Sequence, residues 1–183
     1  MEDNKNNISN ILEKVFFLFK LIFYIFFIFL LQIKLASALQ ICSVFPNFLI
    51  ISVISAAILI NLETSLFLAV SFAILQSIFL NDSFFDFSLI ISAFLTYYLA
   101  PKLKINEKIV AVLLCVFISF CVEIINMWYF SLLKESNILF QDYWIPLFLP
   151  LINGLFTLPC FILFSKIFRN ENSNKRKKRY YYM

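Results

Sequence analysis

The stretch that decides the fold is residues 15–32, VFFLFKLIFYIFFIFLLQ, an apolar run that one charged residue, Lys20, interrupts. A helix needs about 20 residues to cross the hydrocarbon core of a bilayer, and this run approaches that length. It lacks the alternation of apolar and polar residues that is typical of a membrane β-strand. Because a helix is then the remaining way to satisfy the backbone inside lipid, residues 15–32 predict a transmembrane helix.

The rest of the chain repeats this pattern. Of its 183 residues, 62% are hydrophobic and 14% are charged, whereas a typical soluble domain has about 45–50% apolar and about 25% charged residues. We therefore predict an all-α membrane protein with about six transmembrane helices in one bundle that covers residues 11–168. The predicted spans are Val15–Gln32, Ile41–Ile60, Thr64–Leu80, Phe84–Ala100, Ile109–Leu133 and Tyr143–Phe168.

The two ends of the chain are polar. Residues 1–10 form a polar N-terminus, and Asn10 with Glu13 resembles a capping box that starts the first helix. Residues 169–183 form a basic tail that we expect to be disordered. The first span has a second interpretation, because the small residues 36–38 resemble the cleavage site of a secretory signal. Lys20 within the apolar run argues against cleavage, so an uncleaved span is preferred and cleavage stays open.

Basic residues predict the orientation. With six spans and both termini in the cytoplasm, twelve of the fifteen basic residues lie inside, and only Lys34 and Lys134 lie outside. An excess of lysine and arginine marks cytoplasmic loops. The loop 101–108 favours the same orientation independently of the tail. We therefore predict a multi-pass membrane protein with both termini cytoplasmic.

Composition argues against most kinds of enzyme. The chain has no histidine and one glycine, Gly154, so neither imidazole chemistry nor a glycine-rich phosphate loop can be built. The four cysteines lie inside predicted spans without CxxC spacing, which argues against a zinc site and against a disulfide framework. We expect no enzymatic activity, catalytic residue, cofactor or metal site.

Polar residues inside the spans are the candidate functional positions. Most form serine and alanine stripes, for which helix packing is the preferred interpretation. Glu123 differs, since a carboxylate at mid-membrane costs at least about 2.5 kcal/mol unless it is protonated or partnered. Its expected partners are Asn126 on the same helical stripe and Asn153 on span 6. Structural and functional roles both stay open for Glu123.

The tail carries a run of five basic residues. The preferred interpretation is a topology signal that also attracts anionic lipids, at about 1 kcal/mol per basic residue near the surface. We do not expect it to bind nucleic acid. The candidate anionic-lipid residues are Lys175, Arg176, Lys177, Lys178 and Arg179.

Two segments resemble the MreD family, the small membrane subunit of the bacterial rod-shape system (elongasome). One is Phe45–Leu49, where Pro46 and Asn47 open the second span. The other is Leu151–Pro159, in which Asn153, Gly154 and Pro159 resemble the final helix of the family. Glu123 also stands where members of the family often carry an acidic residue. The chain departs from the family in span 3, which lacks the usual glycines.

The resemblance implies a non-enzymatic scaffold that binds an MreC-like protein and other elongasome membrane proteins during peptidoglycan synthesis. It also implies a fold similar to the S components of energy-coupling-factor transporters. A substrate-binding S component of such a vitamin transporter is the alternative function. In that case, the candidate ligand residues on external loops are Asp82, Asp86, Asp142 and Trp144.

Overall fold

A computed structural model of the protein describes a bundle of six α-helices. The described residues are 2–39, 44–79, 87–133 and 145–168, and they contain no β-strand. The side chains described are those of residues 11–34, 38–39, 44–79, 87–125 and 147–168. The helices are α1 (Glu2–Ala38), α2 (Phe48–Leu59), α3 (Leu62–Phe79), α4 (Phe87–Leu99), α5 (Glu107–Leu133) and α6 (Ile145–Ile167), and a 3₁₀ turn (Ala100–Lys102) follows α4.

Four of these helices are long and apolar enough to cross a membrane, by their length and composition: α1, α3, α5 and α6. The apolar part of α1 is Ile11–Lys34, and α2 and the Phe87–Lys102 stretch are apolar but shorter. Large hydrophobic side chains are exposed along the outside of the bundle, among them Phe23 of α1 and Leu155 of α6. A contiguous apolar surface of this extent is costly in water and suits a helical membrane protein.

Helix α2 lies at the centre of the bundle and contacts each of the other five helices. Every residue of α2 is buried except Ile58, which is half-buried. A helix that is apolar on all sides belongs in the core of a large protein or of a membrane bundle, and α2 has this composition. Its small residues Ser52, Ser55 and Ala56 let neighbouring helices approach closely, which is how helices associate inside lipid.

Hydrogen bonds between helices show the relative directions of α1, α2 and α3. Tyr24 of α1 donates a hydrogen bond to Ser52 of α2 (3.0 Å), while Gln32 of α1 accepts one from the backbone of Phe48. Residue numbers therefore rise along α1 as they fall along α2, so the two helices are antiparallel. Ser65 of α3 donates to the carbonyl of Val53 just after the turn that joins α2 to α3, and these helices are also antiparallel.

The later helices continue the alternation. Ser119 of α5 contacts Asn153 of α6, and Cys115 of α5 lies beside Thr157 of α6, so α5 and α6 are antiparallel. The 3₁₀ turn reverses the chain between α4 and α5. One end of the bundle thus holds the ends of α4 and α6 and the start of α5, and we call it the basic end. Its exposed lysines are Lys102, Lys104, Lys108 and Lys166.

Most predicted spans correspond to helices. The predicted first residue is corrected for two of them, α1 and α2. The predicted first helix start at Asn10 is wrong, since α1 begins at Glu2. No proline or glycine interrupts residues 2–10, so the helix extends beyond the expected cap. The second span was predicted from Ile41, but α2 begins at Phe48, directly after Pro46 and Asn47.

The Tyr24–Ser52 hydrogen bond gives a first prediction. Tyr24 is buried, and its ring also makes edge-on contacts with Phe164 and Phe168 of α6. Replacing Tyr24→Phe keeps the ring and removes the hydroxyl, so we expect a loss of about 0.6 kcal/mol, typical of one interhelical hydrogen bond in a membrane protein. Tyr24→Ala removes the ring and should cost about 3–5 kcal/mol. Reversible unfolding in detergent micelles measures both, and equal losses would contradict this assignment.

Candidate functional site

The site is built around the first turn of α2. Asn47 is the N-cap residue of this helix, and its side-chain oxygen accepts hydrogen bonds from the backbone N–H groups of Leu49 (3.2 Å) and Ile50 (3.1 Å). Asparagine is among the best N-cap residues because its short side chain reaches these donors. Pro46 precedes it and is buried. Proline has no N–H group of its own to satisfy at this position.

Asn153 of α6 supplies the next interaction. Its side-chain oxygen accepts a hydrogen bond from the backbone N–H of Asn47 at 2.7 Å, and its amide nitrogen donates to the hydroxyl of Ser119 on α5 at 2.9 Å. The Asn153 side chain is fully buried. One carboxamide therefore connects α6 to both α2 and α5 in the interior of the bundle.

Gln32 of α1 completes the cap. Its side-chain oxygen accepts a hydrogen bond from the backbone N–H of Phe48 at 2.7 Å. The first four N–H groups of a helix have no partner within the helix, and in α2 these are the groups of residues 47–50. Three side-chain oxygens satisfy all four of them, and we call this set the α2 cap: Gln32, Asn47 and Asn153.

Gly154 sets the spacing between α5 and α6 beside the α2 cap. A Cβ atom added to Gly154 would lie 2.6 Å from Cγ2 of Val116 and 3.8 Å from Cγ1 of Val112. The first distance is far inside van der Waals contact, and valine is stiff at this position of its side chain. The single glycine of the chain therefore lies at a contact between α5 and α6 that leaves no room for a side chain, a common use of small residues in membrane bundles.

The predicted site residues fall into three groups in the structure. Pro46, Asn47, Asn153 and Gly154 come together at the α2 cap and the α5–α6 contact beside it. Pro159 is exposed on α6 and lies apart from them. The side chain of Asn126 and the residues Lys175, Arg176, Lys177, Lys178 and Arg179 lie outside the described parts of the chain.

Glu123 is half-buried on α5, one helical turn beyond Ser119 on the same stripe. The partners that the structure gives for the Asn153 side chain are Asn47 and Ser119. The pairing of Glu123 with Asn153 or Asn126 stays a prediction. Among the described residues, no group of three acidic, cysteine or histidine side chains lies close enough to hold a metal ion.

Gln32 was not predicted as part of the site, because a glutamine that ends an apolar run looks like the boundary of a span. The signal that could have identified it is a carboxamide at the end of the first apolar run, followed by Pro-Asn just before the next helix. Ser119 was not singled out either, because packing was the preferred interpretation for the serines inside the spans. Comparison of the chain with protein-family models, with curated proteins and with solved structures gave no match.

The α2 cap gives a second prediction. Asn153→Ala leaves the N–H of Asn47 without its acceptor in the bundle interior, so we expect a loss of about 1–3 kcal/mol in unfolding free energy. Ser119→Ala keeps the oxygen that caps α2 and leaves one amide N–H of Asn153 without its acceptor, so the loss should be smaller, about 1 kcal/mol. Denaturation in micelles compares the two variants. A Ser119→Ala loss as large as that of Asn153→Ala would show that capping α2 is not the main role of Asn153.

The close contact at Gly154 gives a third prediction. Gly154→Ala forces a methyl group against Val116, so we expect about 1–3 kcal/mol of destabilisation from overpacking. The double variant Gly154→Ala/Val116→Ala also removes the clashing Cγ2 of Val116, so it should recover most of the lost stability. Leu155→Ala, at an exposed neighbouring position, is the matched control and should change stability little. If the double variant is no more stable than Gly154→Ala, contact with Val116 is not the cause of the destabilisation.

Proposed function

We propose that the chain is a six-span, MreD-like scaffold of the bacterial cell-wall elongation complex, and that it binds an MreC-like partner in the plasma membrane. One observation carries the proposal: the hydrogen bond from the backbone of Asn47 to the side chain of Asn153, at 2.7 Å. These residues belong to the two separate segments on which the resemblance to the MreD family rests. The contact supports the resemblance, because both segments serve a single junction.

The chemistry of this junction suits a scaffold. The oxygens of Gln32, Asn47 and Asn153 accept hydrogen bonds from the backbone of α2, and this fixes three helices relative to one another. Because these hydrogen bonds hold the helices in fixed relative positions, the outer faces of the bundle keep a constant arrangement. Partner helices in a bilayer recognise such faces through close packing and interhelical hydrogen bonds.

Six crossings are part of the proposal. The antiparallel arrangement of α1 with α2, of α2 with α3 and of α5 with α6 supports them. Helix α2, however, has only 12 residues and is about 18 Å long at 1.5 Å per residue. We infer that the non-helical residues 44–47 complete its crossing. Val44 and Pro46 are buried within the bundle, and irregular backbone is tolerated at membrane depth where protein surrounds it.

The proposed orientation puts the basic end in the cytoplasm, because lysines accumulate on that side of a membrane. Both termini then face the cytoplasm as well. The basic tail lies outside the described residues, so its contribution to orientation and to anionic-lipid attraction stays a prediction. The vitamin-transporter alternative depends on Asp82, Asp86, Asp142 and Trp144, which also lie outside the described residues.

The proposal predicts a cell-shape defect. Depleting the protein in the bacterium that encodes it should convert rods into rounded cells, as measured by microscopy, and a tagged full-length chain should co-purify an MreC-like protein. Glu123→Gln is the informative complementing variant. If its charge contacts a partner, rod shape and co-purification should both fall.

Tyr24→Phe, a conservative change on another helix, is the matched control and should restore rod shape. Persistence of both readouts in Glu123→Gln would mean that the charge of Glu123 is dispensable to the scaffold. Rod-shaped cells that acquire a vitamin requirement on depletion would contradict the scaffold and support the transporter subunit.

A further inference from the structure

An apolar groove lies at the basic end of the bundle, between the 3₁₀ turn and the first turns of α5. Its volume is about 360 Å³. The α5 wall carries Leu113 and Phe117, which are 48% and 53% exposed and therefore face outward from the bundle. The residues that line the groove are Leu99, Lys102, Leu103, Leu113, Leu114 and Phe117.

Lys102 is the only charged residue among those that line the groove. Its side chain is exposed, and it makes no hydrogen bond or ion pair in the described parts of the chain. The backbone beneath it is held by hydrogen bonds from the N–H of Leu103 to Ala100 (3.3 Å) and from that of Ile105 to Leu103 (2.8 Å). Pro101 further restricts this turn. The backbone of Lys102 is therefore held at a defined point at the edge of an apolar surface.

The two ends of the groove differ in chemistry. The wall formed by Leu113 and Phe117 continues along the outside of α5, where acyl chains would contact the bundle. The other end opens beside Lys102, with Lys104 in the same loop and Lys108 at the start of α5. A lysine in this setting lays its methylene stem on apolar surface and keeps its charged head at the water interface.

We propose that this groove binds one anionic phospholipid, with an acyl chain along Leu113 and Phe117 and the phosphate at the ammonium group of Lys102. Basic pockets between transmembrane helices on the cytoplasmic side are a common form of anionic-lipid site. The site requires that the bundle is in a membrane, and it does not depend on the scaffold function. It differs from attraction of lipids by the basic tail, because it combines a charge on an ordered turn with an adjacent apolar groove.

The test uses the full-length protein in vesicles that contain a phospholipid with a photoreactive group on one acyl chain. The head group is either phosphatidylglycerol, which is anionic, or phosphatidylcholine, which is zwitterionic. After illumination, mass spectrometry of the digested protein gives the labelled positions. We expect phosphatidylglycerol to label Leu113 and Phe117 more strongly than phosphatidylcholine does, with a smaller difference at the exposed Leu155 of α6.

Two lysine variants separate a defined site from general surface attraction. Lys102→Gln should lower labelling of Leu113 and Phe117 by phosphatidylglycerol about tenfold or more, the effect of losing a hydrogen bond to a charged group. Lys104→Gln removes the same charge from the same loop outside the groove and should lower it by no more than about fivefold, the effect of losing one basic residue near an anionic surface. Lys102→Arg keeps the charge and should restore most of the labelling.

Equal losses in Lys102→Gln and Lys104→Gln would overturn the proposal, because general attraction does not distinguish the two lysines. Equal labelling by both head groups in the unchanged protein would also overturn it. Far-ultraviolet circular dichroism confirms that each variant is folded, and Lys102→Arg gives a second comparison should Lys102→Gln lose helix content. Failure of this test would leave the cell-shape prediction unaffected, since that prediction does not involve Lys102.

Discussion

The rest of the structure depends on which groups accept hydrogen bonds from the backbone N–H groups at the start of α2. A helix that begins inside a bundle exposes four backbone N–H groups, and each unpaired group costs several kcal/mol in a medium without water. Here the oxygens of Gln32, Asn47 and Asn153 accept hydrogen bonds from all four. Because two of these residues come from α1 and α6, the same interactions that make α2 possible also fix the positions of its neighbours.

The packing around this cap follows from the same requirement. Asn153 can reach the backbone of Asn47 only if α6 lies close to the centre, and the adjacent Gly154 permits a tight approach of α6 to α5. Ser119 then binds the free amide of the same carboxamide. The chain uses its single glycine at this point, whereas serine and alanine provide the other close contacts. The polar atoms of Asn153 and Ser119 are thereby used for structure, and large hydrophobic side chains are exposed along the outside of the bundle.

Much of this architecture could be predicted from sequence, because the length of an apolar run translates directly into a helix. The bounds of α3 and α6 lie within two residues of the prediction. The Pro46–Asn47 signal and the Asn153–Gly154 pair were also identified. The start of α2 was misplaced, since hydropathy cannot show that distant carboxamides allow a helix to begin within an apolar run. Gln32 was missed for the same reason, because its role depends on a contact across the fold.

The α2 cap also has a consequence for biogenesis. Asn153 is synthesised 106 residues after Asn47, so the N–H of Asn47 has no access to its final acceptor while the intervening helices emerge from the ribosome. Until α6 is inserted, Asn153 cannot accept the hydrogen bond from this N–H group. The α2 cap is therefore complete only once the last described helix is in place, and a chain that stops before α6 lacks this contact.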